Sequence, residues 1–187
     1  MGDSISVVII TYNEEINIAR ALKSVIEVAD EIIVLDSFST DNTEQICAQY
    51  GAKFIKRKWQ GYARSKNYVN NLATHNWILS LDADEELDAE MATDILKYKQ
   101  EGFHGVYLLN RLTNYCGTWI RHSSWYPDKK VRIFDKSIAK WTGAFVHEEL
   151  VFSENVMETL VKGHLNHYSY HSQKEHRFRA DKYSVLT

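Results

Sequence analysis

The chain has 187 residues, 44% of them hydrophobic and 25% charged, which suits one globular α/β domain with a core large enough to be stable alone and argues against two. A formal net charge of -3 gives no global attraction to nucleic acid, so a phosphate-bearing partner would need a local site rather than a basic face. The two cysteines form no CxxC pair and no secretory leader is recognisable, which predicts a reduced cytoplasmic setting, and no apolar run nears the roughly 20 residues of a membrane-spanning helix.

Residues 5–10 are β-branched and almost continuously apolar, as expected of a first, central strand buried on both faces of a parallel sheet. Thr11 or Asn13 then serves as a helix cap and Glu14 and Glu15 as first-turn acids, before Ile18, Leu22, Val25 and Ile26 recur at helical spacing. The cycle repeats: a strand over 31–35, a polar loop over 36–41, a helix over 42–50, and a short strand over 52–56. A helix over 62–74 and a fourth strand over 77–81 follow, the strand ending in Asp82-Ala83-Asp84-Glu85-Glu86. Alternation of this kind predicts a Rossmann-like, mostly parallel sheet flanked by helices. Ligands bind beyond the carboxyl ends of such strands, and Glu14, Asp36, Asp41, Asp82 and Asp84 all fall there.

After a helix over 89–98 the pattern changes to separate strands over 105–110, 130–134 and 165–170, joined by long aromatic loops carrying Trp119, Trp125, Tyr126, Trp141 and Phe145. Long loops with this many aromatic residues are read as functional rather than disordered. The last segment, 173–187, has a basic helical pattern with no stop signal, which predicts a continuation of the polypeptide, amphipathic and in peripheral contact with a membrane.

Asp82-Ala83-Asp84 directly follows an apolar strand, where one or both carboxylates can hold a hard divalent cation, Mg²⁺ or Mn²⁺, whose other positions go to diphosphate oxygens and water. The competing account is an acidic helix start, and the surrounding acidic loops favour the metal. Helix-dipole complementarity competes for Glu14 and is the better account of Glu15; helix capping competes for Asp41.

Four motifs in order, Val8-Ile9-Ile10-Thr11-Tyr12-Asn13-Glu14-Glu15, then residues 33–43, then Ala63-Arg64-Ser65-Lys66-Asn67, then Leu81-Asp82-Ala83-Asp84-Glu85, resemble family-2 inverting glycosyltransferases of the GT-A fold. Trp125-Tyr126-Pro127-Asp128, Arg132-Ile133-Phe134 and Val146-His147-Glu148-Glu149 narrow the resemblance to the bacterial lipopolysaccharide-core glucosyltransferase subgroup.

The resemblance implies a metal-dependent hexosyltransferase using a nucleotide-sugar donor, with UDP-glucose favoured and other UDP-sugars or ADP-heptose as alternatives. It places Thr11, Tyr12, Glu14 and Asp36 around the nucleoside, Arg64 and Asn67 on a helix facing the nucleotide, Asp82 near ribose and metal, and Asp84 on the metal. A solvated helix face is the preferred account of Lys66. Inverting transfer needs one carboxylate base beside the acceptor hydroxyl. Glu148 is chosen by resemblance, with Asp128 and Glu149 as alternatives, and His167 is the late histidine that would complete the metal site unless it is a structural strand residue. Residues 1–100 would then form the nucleotide-binding half and 101–187 the half whose aromatic loops wall the acceptor, a glycan or lipid-linked sugar of the bacterial surface, at the inner face of the cytoplasmic membrane. A sugar nucleotidyltransferase is disfavoured because the loop after the first strand has no glycine or lysine for a triphosphate. A non-catalytic nucleotide-sugar-binding module is the other alternative.

Overall fold

The protein is described from a computed structural model at residues 2–143, 148–174, 176 and 177. Strand β1 (Ile5–Thr11), helix α1 (Ile18–Val25), β2 (Glu31–Asp36), α2 (Thr43–Gln49), β3 (Lys53–Lys56), α3 (Tyr62–Leu72) and β4 (Trp77–Asp82) follow in the predicted alternation. Then come β5 (Glu85–Leu87), α4 (Ala89–Glu101), β6 (Val106–Tyr115), β7 (Thr118–Ile120), a 3-10 turn (Ser123–Trp125), β8 (Asp128–Asp135), β9 (Lys140–Thr142), β10 (Glu149–Val151), β11 (Glu158–Leu160) and β12 (Leu165–Tyr170). The main sheet has the order β3-β2-β1-β4-β8-β6-β12-β5, with β7 and β11 also paired to β6, and β9 and β10 form a separate ribbon. Strands β1 to β4 are parallel, whereas β8 runs antiparallel to both β4 and β6. This is the expected α/β architecture with a mixed second half.

Alternate residues of the central strands feed two cores, which is why they read as continuous apolar runs. Ile5, Val7 and Ile9 pack with Ile18, Leu22 and Val25 of α1, Cys47 of α2, and Met91 and Ile95 of α4. On the opposite face Val8, Ile33 and Leu35 pack with Ala63 and Val69 of α3, Phe134 of β8 and Trp141 of β9.

Three local expectations need correction. Helix α1 begins only at Ile18, and its N-cap Asn17 makes no side-chain cap bond, so Thr11 and Asn13 are not caps and Glu14 and Glu15 do not lie in a first helical turn. Strand β6 runs five residues past 110, because backbone partners from β12, joined by β7 at its end, carry it through the polar stretch that reads as its end. The loops of the second half are shortened by β7, β9, β10 and β11, and β5 follows the acidic turn after β4; each of these strands is only three residues long and too short to show a period. The basic C-terminal helix falls almost wholly outside the described residues.

Candidate active site

Parallel register puts the carboxyl ends of three strands side by side: Thr11 lies opposite Asp36, and Ile10 opposite Asp82. The loops leaving β1 and β2 are laced together. Asn13 and Phe38 both take left-handed φ, 54° and 66°. The Asn13 amide donates to Ser39 Oγ (2.7 Å) and the Thr40 amide to Asn13 Oδ1 (2.8 Å). Glu15 bridges the gap to two residues: its amide donates to Asp41, and its carboxylate accepts from the backbone and side-chain nitrogens of Asn42. Asp41 also accepts from the amide and hydroxyl of Thr43 at the start of α2, so the capping account of Asp41 stands. Burial works against its charge, but these bonds outweigh it and hold its carboxyl below the ordinary range.

The four nucleoside candidates are not equally placed. Tyr12 is 51% exposed. Thr11 is buried at the strand end, its hydroxyl without a partner among the described residues. Glu14 accepts from Asn17 Nδ2 at 2.8 Å. Asp36 is fully enclosed and accepts from the Ser39 amide (2.8 Å) and hydroxyl, which fixes the shape of the loop after β2.

Helix α3 also departs from expectation. Arg64 is exposed, whereas Lys66, read from sequence as solvated, is 2% exposed. Its Nζ lies 3.1 Å from Asp82 Oδ1, 3.1 Å from Glu148 Oε1 and 4.6 Å from the ring centre of Trp141. Asn67 clamps β9: its Nδ2 donates to the Trp141 carbonyl (2.7 Å) and its Oδ1 accepts from the Trp141 amide (3.0 Å).

Asp82 is held from its other side by Arg132 of β8 at 2.9 Å, and Arg132 also pairs with Glu85, which is 1% exposed. Burial would raise the Asp82 carboxyl, but Lys66 and Arg132 overcome it and keep the group ionised far below the usual range. Burial likewise disfavours the Arg132 cation, and Glu85 and Asp82 outweigh it. Arg111 lies 3.8 Å from Glu85 and 2.7 Å from Asp128, which pairs further with Lys130 at 3.0 Å. Alternating charges thus run from Glu148 through Lys66, Asp82, Arg132, Glu85 and Arg111 to Asp128.

Asp84, on the turn between β4 and β5, lies 3.5 Å from His167 Nε2, and its carbonyl accepts from the Tyr168 amide at 2.9 Å. His167 Nδ1 contacts the Thr113 hydroxyl at 3.4 Å. The two predicted metal ligands are therefore neighbours, although no group of three metal-ligating side chains occurs among the described residues. A carboxylate and an imidazole suit a cation that takes its remaining ligands from a diphosphate and water. The other late histidines described have local partners: His164 with Asp88 and Tyr126, His171 with Asn17, and His176 with Tyr115.

The three base candidates separate by environment. Glu148 joins Asp82 on the Lys66 ammonium. Burial works against the Asp128 charge, but Arg111 and Lys130 overcome it and lower its pKa. Glu149 is exposed on the β9–β10 ribbon. Sequence reasoning missed Lys66, Arg132 and Glu85 as members of this cluster. The available signal was an arginine between the apolar residues Val131, Ile133 and Phe134, a place where a charge needs a buried partner.

The description "Glycosyl transferase family 2" matches residues 6–160. A Rickettsia typhi protein named as an uncharacterized glycosyltransferase is 34% identical over 191 residues, 96% of this chain and 65% of its own length, so the chain spans a little under two thirds of that relative. A lipopolysaccharide core biosynthesis glycosyltransferase, LpsC of Rhizobium meliloti, is 34% identical over 89 residues, 45% of this chain and 33% of LpsC. Among solved structures, S. aureus TarS in complex with UDP-GlcNAc superposes with a TM-score of 0.62 at 20% identity, covering 91% of this chain and 60% of that one, a likeness that shows the fold. With the family pattern covering most of its length on a matching GT-A fold, the chain belongs to glycosyl transferase family 2.

Proposed function

We propose that this domain performs metal-dependent, inverting transfer of a sugar from a nucleotide-diphosphate donor, a UDP-sugar first among the candidates, to a glycan or lipid-linked acceptor of the bacterial surface. The observation that carries the reading is the meeting, at the carboxyl end of β4, of side chains from both halves of the chain: the Asp82 and Asp84 carboxylates from the first, the Glu148 carboxylate and the His167 imidazole from the second. The partial relative named for lipopolysaccharide core biosynthesis supports the acceptor class, and the TarS complex with UDP-GlcNAc supports the donor class.

In this reading Thr11, Tyr12 and Glu14 receive the nucleoside, with Asp36 holding their loop in shape. Asp84 and His167 hold Mg²⁺ or Mn²⁺, which supplies positive charge to the diphosphate when bound. Arg64, exposed on the same helix as Lys66, is kept as the proposed cation for the nucleotide. Glu148 takes the proton of the acceptor hydroxyl as that oxygen forms its bond to the anomeric carbon. The bond to the diphosphate breaks on the opposite face, the nucleoside diphosphate leaves with the electron pair, and the configuration inverts. Peripheral membrane contact is part of the proposal; among the described residues no helix is long and apolar enough to cross a membrane.

The test is calorimetric titration with UDP-, ADP-, GDP- and CMP-sugars, with Mn²⁺ or Mg²⁺ and with chelator. One nucleotide class should bind only with metal, and Asp84→Ala should lose it. Glu148→Gln should keep donor binding and lose transfer. Donor binding with no transfer or hydrolysis in the unaltered protein would favour a non-catalytic module, and failure of every donor to bind the folded protein would reject the reading.

A further inference from the structure

Lys66 combines full burial with two carboxylate partners from distant parts of the chain. We propose that Lys66 is the positioning residue for the base: its single ammonium fixes Glu148 against Asp82, so that the donor-side carboxylate and the proton acceptor are set at one spacing before either substrate arrives. The proposal rests on the reading of Glu148 as the base.

Four observations point to this role. Both carboxylates lie 3.1 Å from the same Nζ, so their nearest oxygens are within twice that distance of each other, where two like charges repel and the shared ammonium offsets the repulsion. The ammonium itself has little freedom, because α3 packs against β9, the Asn67 side chain clamps the Trp141 backbone from one residue further along, and the Trp141 ring faces Nζ at 4.6 Å. Asp82 has a second cation in Arg132, whereas Lys66 is the only cation paired with Glu148 among the described residues. Glu148 also precedes β10, so ladder pairing does not fix it. The geometry therefore makes Lys66 the support of Glu148 more than of Asp82.

The experiment is a double-mutant cycle on the whole chain with two readouts. In thermal unfolding without donor, Glu148→Gln should lower the melting temperature of the unaltered protein, because it weakens an ion pair. The same substitution should raise that of Lys66→Met, because it removes an uncompensated charge facing Asp82. If Lys66→Met does not fold, the Lys66→Met/Glu148→Gln variant should recover a cooperative transition. In donor hydrolysis, which needs no identified acceptor, Lys66→Met should lower kcat at least tenfold, more than it raises the donor KM, and Lys66→Arg should restore most of the loss. Lys66→Met should cost nothing further in the Glu148→Gln background.

A melting-temperature change of the same sign in both backgrounds would overturn the proposal, whether or not a donor is ever found. So would a double variant that does not fold, or kcat losses that multiply. A metal-dependent donor that binds but is neither transferred nor hydrolysed by the unaltered protein would instead favour the non-catalytic module and count against Glu148 as base, with the unfolding cycle still deciding whether Lys66 positions it.

Discussion

Removal of the Arg132 guanidinium gives the sharpest test of how the buried charges hold the site. Arg132→Met keeps most of the side-chain volume and leaves Glu85, 1% exposed, facing Asp82 with one fewer cation between them. Breaking a buried pair by deleting one partner costs about 3–5 kcal/mol, because the remaining charge stays desolvated. Here Asp82 keeps Lys66 at 3.1 Å and Glu85 keeps Arg111 at 3.8 Å, which places the expected loss near the lower end, about 3 kcal/mol. For a domain of this size that is a fall of roughly 6–12 °C in Tm. Urea denaturation would measure it, with Glu85→Gln introduced into both backgrounds. Glu85→Gln should destabilise the unaltered protein and partly rescue Arg132→Met. A loss under about 1 kcal/mol, or equal costs of Glu85→Gln in both backgrounds, would refute the view that Arg132 compensates two buried carboxylates.

The two cysteines should behave oppositely. Burial pushes the Cys47 thiol up to about 12, helped by Asp36 nearby, while Cys116 is exposed, so alkylation at pH 8 should modify Cys116 alone until the protein is unfolded, as mass spectrometry would show. Because the folded value is raised, the neutral Cys47 thiol contributes stability that is complete below its unfolded value near 8.5 and lost as pH rises through about 12; Cys47→Ala should flatten that alkaline decline in a denaturation series. Asp128 has the opposite sign. Arg111 and Lys130 overcome its burial and lower its pKa, so its contribution is complete above about 3.9 and fades as pH falls further; Asp128→Asn should flatten the acid limb of the same series, and an unchanged limb would count against the pairing.

Much of the first half was legible because its physics is local. Residues 5–10 are too apolar for any place but a doubly covered strand, and each recurrence of strand, polar loop and helix sets another acidic residue at a carboxyl end. That periodicity determined the fold class, the location of the site and the nearness of Asp82 and Asp84 to it. The sequence could not decide what each polar side chain faces, because that depends on register and on elements far along the chain. Lys66 and Arg64 sit two residues apart on one helix with equal charge, and only the packing of α3 against β9 buries the first and exposes the second. What Asn67 faces is likewise set by Trp141, 74 residues away, which takes both ends of its amide. Arg132 acquires its role only when β8 pairs antiparallel with β4 and brings its guanidinium to Asp82 and Glu85. Hydrophobic periodicity chose the elements; tertiary structure, by the cost of leaving a buried charge unpaired, chose which charges meet.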